Sequence, residues 1–178
     1  AYMDNLFNMI SKGSSYFISL SKEDSQKYAG KTIDVTITLA NERQAAETAK
    51  LFEVSGAAVT VSGEKLAVQG DMGRILMSSL EDADHMFQNE GQPLVDKYGY
   101  GAKSVLFNWW TAFKGVTKDL NKQKSFKEAK TFGTIQKKAL EPAYNYFGVE
   151  AGNYKDNFIL IVTALAFYVI YTLWYGFG

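Results

Sequence analysis

The sequence contains no cysteine. That absence removes disulfides, thiolate zinc sites, iron–sulfur clusters, c-type haem attachment and cysteine nucleophiles together. It has one histidine, His85, so a histidine-ligated metal site would need carboxylates or a second chain to complete it. Arginine is nearly absent, and the 19 basic residues are matched by 19 acidic ones. Signatures of phosphate and nucleophile chemistry are missing too. There is no Walker A loop, no complete Gly-x-Gly-x-x-Gly, and no Gly-x-Ser-x-Gly or Ser-x-x-Lys elbow in a supporting context. Ser11, Ser14 and Ser15 lie near Lys12 in what reads as a helix-end turn. The expectation is a non-catalytic chain with no cofactor and no metal.

What the sequence has in abundance is an apolar tail. From Phe158 to Tyr175 no residue is charged, and Asp156 is the last charge in the chain. Asn157 to Gly178 is 22 residues, about 33 Å as a helix, against a hydrocarbon core about 30 Å thick. A buried helix of a soluble protein usually carries a polar stripe; here only Thr163, Thr172 and tyrosine hydroxyls are polar. Tyr171, Trp174 and Tyr175, with Tyr168, suit a membrane–water interface. Thr163, Ala164 and Ala166 form a small-residue patch that would let another helix pack closely or would simply face lipid. The sequence therefore predicts a single C-terminal transmembrane helix over 157–178. Lys137, Lys138 and Lys155 precede it and no basic residue follows, which places the N-terminal side in the cytoplasm and the C-terminus opposite. The opening Ala1-Tyr2-Met3-Asp4-Asn5-Leu6 lacks the basic segment and apolar run of a secretory signal, in agreement.

The rest of the chain reads as α+β. Residues 1–30 form an N-terminal helical segment: Asp4 caps a helix carrying Leu6, Phe7, Met9 and Ile10, Gly13 stops it, and a second apolar cluster follows at Tyr16, Phe17, Ile18 and Leu20. Ser21 to Gly30 is polar and reads as a loop or short helix. Residues 31–98 form a βαββα module. Ile33, Val35, Ile37 and Leu39 alternate with polar residues as a half-buried strand does. Asn41 with Gln44 three residues on has the spacing of a capping box. It opens a helix with Ala45, Ala46, Ala49 and Phe52 inward and Gly56 at its end. Val59 and Val61, a Ser62-Gly63 turn, and Leu66 and Val68 read as a hairpin. Asp71 then caps a helix with Ile75, Leu76, Leu80, Ala83 and Phe87 inward. The order is that of a ferredoxin-like split βαβ unit lacking its final strand, a topology shared by many unrelated functions.

Two clusters in the module invite a chemical reading. Glu81, Asp82, Asp84 and His85 fall together on the second helix, with Asp82 and His85 at half of a carboxylate–histidine metal spacing. No second half exists, so the cluster reads as a solvated acidic face with a surface histidine. Gly70-Asp71-Met72-Gly73-Arg74 opens a helix after a strand, where anions bind. However, Asp71 in the cap would fill that position itself, so an ordinary N-cap is expected.

Residues 99–156 form a basic, aromatic-rich helical region. Between Lys103 and Lys138, nine lysines against Asp119 and Glu128 leave +7, and the remainder of the neutral chain carries −7. Val105, Leu106, Trp109, Trp110 and Phe113 give a helix with a broad aromatic face. A lysine-rich helix is read from about Thr117, with Gly133 as a candidate point of interruption and a short helix opened by Pro142 through Tyr144 and Phe147. Three readings compete for the aromatic face. It could lie on a membrane surface with lysines on anionic headgroups, dock partner subunits, or bind nucleic acid. Without a recognised motif and with so little arginine, nucleic acid is not expected. Val105, Leu106, Trp109, Trp110 and Phe113 are taken as the partner- or lipid-docking residues. The expected function is a single-span, non-catalytic accessory subunit of a larger membrane complex, with other subunits and anionic lipid as partners; a respiratory or other membrane oxidoreductase is the host by analogy alone. The alternative is a free membrane-tethered adaptor or sensor whose βαββα module binds a small ligand or soluble protein.

Overall fold

The computed structural model describes residues 17–148 and, beyond them, Leu165, Tyr168, Val169, Tyr171 and Thr172. The chain divides into two units, Ser15–Gly148 and a second made of Ala1–Ser14 with Val149–Gly178. The five described positions of the second unit are helical, and the Thr172 hydroxyl bonds the carbonyls of Tyr168 and Val169 at 3.0 and 2.9 Å. Among the described residues no helix is long and apolar enough to cross a membrane. The span expected over 157–178 lies outside the described residues apart from those five positions. So do Thr163, Ala164, Ala166, Trp174 and Tyr175, and the helix expected from Asp4.

The first unit begins with α1, Ile18–Gln26. The polar stretch after Leu20 is thus helical, because its inward positions Ile18, Ser21 and Ser25 recur at helical spacing. The two serines turn their hydroxyls onto the carbonyls of Phe17 and Ser21 at 3.1 and 2.7 Å, which lets a polar face pack inward. Strand β1, Thr32–Thr38, buries every second residue, as its alternation predicts.

Helix α2, Glu42–Val54, starts where Asn41 Oδ1 accepts the Gln44 N–H at 2.9 Å. Gln44 Oε1 reaches back to the N–H of Ala40, one residue before the cap, at 3.0 Å. Its buried face is Ala45, Thr48, Ala49, Leu51 and Phe52, whereas Ala46, expected inward, is exposed. Gly56 ends it at φ +85. Strands β2, Ala58–Ser62, and β3, Lys65–Asp71, form the hairpin, with Gly63 at φ +58 supplying the left-handed residue its two-residue turn needs. The sheet order is β1-β3-β2, and β3 is antiparallel to both neighbours. This is the order of a split βαβ unit without its fourth strand.

Helix α3, Met72–Phe87, is followed by α4, Gln92–Tyr98, and α5, Ala102–Lys122. The aromatic stretch and the first lysines after Thr117 thus belong to a single helix. The lysine-rich helix proper is α6, Phe126–Ile135, which passes through Gly133 without a break. The irregularity comes later, as a π-helical turn over Gln136–Leu140 running straight into α7, Glu141–Tyr146. Pro142 has no N–H and its ring crowds the carbonyl four residues back, so the regular ladder cannot continue through this point.

In a complete ferredoxin-like sheet the fourth strand would lie beside β1. Here α5 holds that edge. Asp119 Oδ2 accepts the Thr36 N–H at 3.1 Å, and Gln123 Nε2 donates to the Asp34 carbonyl at 2.8 Å. A Cβ on Gly115 would lie 2.9 Å from Ile37 Cγ2, so the helix approaches the strand closely because this residue has no side chain.

Candidate functional site

Asp82 occupies the most distinctive chemical position in the first unit. Helix α3 turns it inward with Leu80, Ala83 and Met86, and it is 1% exposed. The acidic surface expected around Asp82 is corrected at this residue. Its carboxylate accepts the Tyr98 hydroxyl at 2.6 Å and the Trp109 indole N–H at 2.8 Å on Oδ2, and Lys97 Nζ at 3.0 Å on Oδ1. A carboxyl group is buried at little cost only when donors replace its hydration, and here they come from α4 and α5. Burial, then the neighbouring Asp82 carboxylate, pushes the Tyr98 phenol well above its usual range. Burial does the same to Tyr100, whose hydroxyl donates to the Glu47 carbonyl at 3.1 Å. Asn108 extends this network by donating to Glu47 Oε2 at 3.3 Å and accepting from Gln44 Nε2 at 3.1 Å. The arrangement holds α2, α3, α4 and α5 together.

The remaining acidic residues of the cluster face outward. Asp84 pairs with Lys22 at 2.6 Å, and His85 Nδ1 lies 2.9 Å from Glu90 Oε2 on the surface. Among the described residues no group of three or more His, Asp or Glu could hold a metal ion. The glycine-flanked start of α3 is also occupied from within. Arg74 N–H bonds Asp71 Oδ1 at 2.9 Å, Met72 N–H bonds the Lys31 carbonyl at 2.7 Å, and Gly73 N–H bonds the Tyr28 carbonyl at 3.2 Å. A Cβ on Gly73 would sit 2.7 Å from the Ala29 nitrogen. Close packing of the 28–31 segment therefore explains this glycine, and the helix start has no N–H left for an anion.

The aromatic helix is divided between two faces. Val105, Leu106, Trp109 and Phe113, read from the sequence as a docking face, are fully buried in this chain's own core. Edge-to-face contacts run from Phe52 to Trp109 at 5.4 Å, Trp109 to Phe113 at 5.6 Å and Phe113 to Phe132 at 4.8 Å, packing that suits the ring quadrupoles. Only Trp110 of the five is partly exposed. It stacks on Phe107, itself 49% exposed, with ring centroids 6.4 Å apart and planes 18° apart. Lys114 lies over the Trp110 ring at 5.6 Å, and Lys103 over Tyr144 at 5.4 Å.

The outward stripe of α5 is therefore Lys103, Phe107, Trp110, Lys114 and Lys118. The sequence reading missed Phe107, although its spacing of four, three and four with Lys103, Trp110 and Lys114 marks one helical face. All nine lysines from Lys103 to Lys138 are exposed. Elsewhere, a cavity of about 430 Å³ opens between α1 and α6, with Phe17, Tyr28 and Ile135 among its walls and Lys27, Lys127 and Lys130 around it. No protein-family model, curated protein or solved structure matches the chain.

Proposed function

We propose that the protein is a non-catalytic accessory subunit of a larger membrane complex, tethered by a single helix over 157–178 and docked through the outward stripe of α5. The observation that supports it is the stack of exposed Phe107 on partly exposed Trp110, set among Lys103, Lys114 and Lys118. Partly exposed stacked aromatics with a cationic rim suit an acidic, partly apolar surface on another subunit, with nearby anionic headgroups meeting the remaining lysines. The buried polar network is occupied by internal partners, which favours a binding role over a reaction there. Native purification of the full chain in gentle detergent tests the reading. It should migrate with a large assembly, and Phe107→Ser with Trp110→Ser should weaken co-purification by ~2 kcal/mol or more while the chain stays folded. Migration of the wild-type chain alone would overturn it.

The cavity between α1 and α6 supports a second reading, a membrane-tethered adaptor. Its volume lies at the lower end of the range for small-ligand sites, about 300–1,000 Å³; Lys27 is paired with Asp24 of the same wall at 2.6 Å, so Lys127 and Lys130 are the lysines that would favour an anionic ligand. Under that reading the chain purifies without partner subunits, and a charge reversal at Lys130 impairs ligand capture.

A further inference from the structure

The two edges of the sheet are treated differently. The β1 edge is closed by Asp119 and Gln123, which bond Thr36 and Asp34. Strand residues alternate the direction of their backbone groups. Asp34 and Thr36 point outward, so Ile33, Val35 and Ile37 bond β3 at Gly70, Val68 and Leu66. Lys65, Ala67 and Gln69 then turn toward β2, where they meet Ser62, Thr60 and Ala58. The N–H and C=O groups of Val59 and Val61 consequently face away from the sheet, and among the described residues nothing bonds to them. This edge also lacks the usual guards, since Ala58–Ser62 contains no charge and no proline. Val61 lies opposite the buried Leu66, on the core face, yet is 45% exposed.

We infer that β2 is a self-pairing edge, and that a second copy of this chain adds its own β2 antiparallel about a two-fold axis through Thr60. That register sets Val59 opposite the second copy's Val61, and the reverse. Each pair exchanges both backbone hydrogen bonds, so all the outward groups of these valines are satisfied. The valines of both copies meet on the core face and cover Val61. No like charges are opposed in the strand. Each hairpin turn, with Glu64, is directed toward the other copy's Gly56. Arg74 Nη1 lies there, 3.3 Å from where a Cβ on Gly56 would be, and among the described residues Arg74 has no ion pair. Backbone self-complementarity and these flanking charges favour a second copy over an unrelated extended segment.

The absence of cysteine makes the register testable. Thr60 would face its own counterpart in a pair without hydrogen bonds, about 4.5 Å between Cα atoms, which a disulfide can span. Full-length Thr60→Cys protein in gentle detergent under mild oxidation should form a covalent dimer at least ~10-fold faster than Ser62→Cys, which would face the second copy's Ala58. Adding Val61→Pro removes one outward N–H without touching a bond to β3, and should slow cross-linking by a similar factor, with far-UV circular dichroism unchanged. If that variant does not fold, Val61→Lys retains the N–H, places a charge in the seam and should slow cross-linking likewise. Equal rates at positions 60 and 62, insensitivity to folded Val61 variants, or a different chain captured at position 60 would overturn the inference.

Discussion

The indole N–H of Trp109 on α5 ends 2.8 Å from Oδ2 of Asp82 on α3, and neither residue is more than 1% exposed. The same oxygen takes the Tyr98 hydroxyl at 2.6 Å, so one buried carboxylate fixes the mutual positions of three helices. The aromatic helix is thereby joined to the βαββα module by a directional bond as well as by ring packing.

Removing that carboxylate should be expensive. Asp82→Ala leaves the Tyr98 and Trp109 donors buried without an acceptor, and should cost ~3–5 kcal/mol. Asp82→Asn keeps one oxygen acceptor and should cost less. Trp109→Ala should also cost ~3–5 kcal/mol through the cavity it leaves, whereas Trp110→Ala, partly exposed, should cost clearly less. Urea unfolding followed by far-UV circular dichroism measures all four; equal losses for the two tryptophans would contradict the division of α5 into inner and outer faces.

Alkaline pH should reveal the buried phenols. Tyr98 and Tyr100 are both pushed above the ordinary tyrosine range, chiefly by burial. A raised folded-state pKa gives a contribution fully present below the unfolded value, about 10, and progressively lost as pH rises beyond it. Stability should therefore fall above about pH 10. Ultraviolet titration of phenolate should show these two tyrosines ionising only as the chain unfolds. Normal titration of every tyrosine in the folded state would refute the network.

Two glycines in helices should respond to alanine with opposite signs. Gly115→Ala puts a Cβ 2.9 Å from Ile37 Cγ2, and the overpacking of ~1–3 kcal/mol should exceed the ~1 kcal/mol gained in helix propensity. At Gly133 the nearest atom to a built Cβ is Thr117 Cγ2 at 3.8 Å. Gly133→Ala should therefore raise stability by ~0.5–1 kcal/mol. Thermal unfolding midpoints moving in the same direction would show that the close approach of α5 to β1 is wrong.

Deleting residues 157–178 should release the chain from membranes washed with carbonate. Retention of the truncated chain after all co-purifying chains are also stripped would contradict tethering by the apolar tail.

Local chemistry made much of the fold legible. The alternation from Ile33 to Leu39, the caps at Asn41 and Asp71, and the glycine turn of the hairpin are each written within a few neighbouring residues. So is the strand order, in the sense that βαββα spacing restricts the topologies available. The site was harder to read. Asp82 lies among Glu81, Asp84 and His85, and nothing in that run says which side chain turns inward. Its donors stand at positions 97, 98 and 109, far along the chain.

By itself the sequence determined the three strands and the helices capped by Asn41 and Asp71, because propensity and capping act locally; the helix over Gln92–Tyr98 and the extent of the aromatic helix through Lys122 emerged only in the tertiary structure. Tertiary structure decided which aromatic face of α5 is core. Helical periodicity defines two usable faces, Val105–Trp109–Phe113 and Phe107–Trp110, and both are apolar enough to bury. The first was selected because Gly115 lets the helix seat on β1 and Asp82 waits there to receive the Trp109 N–H, an acceptor the second face could not reach.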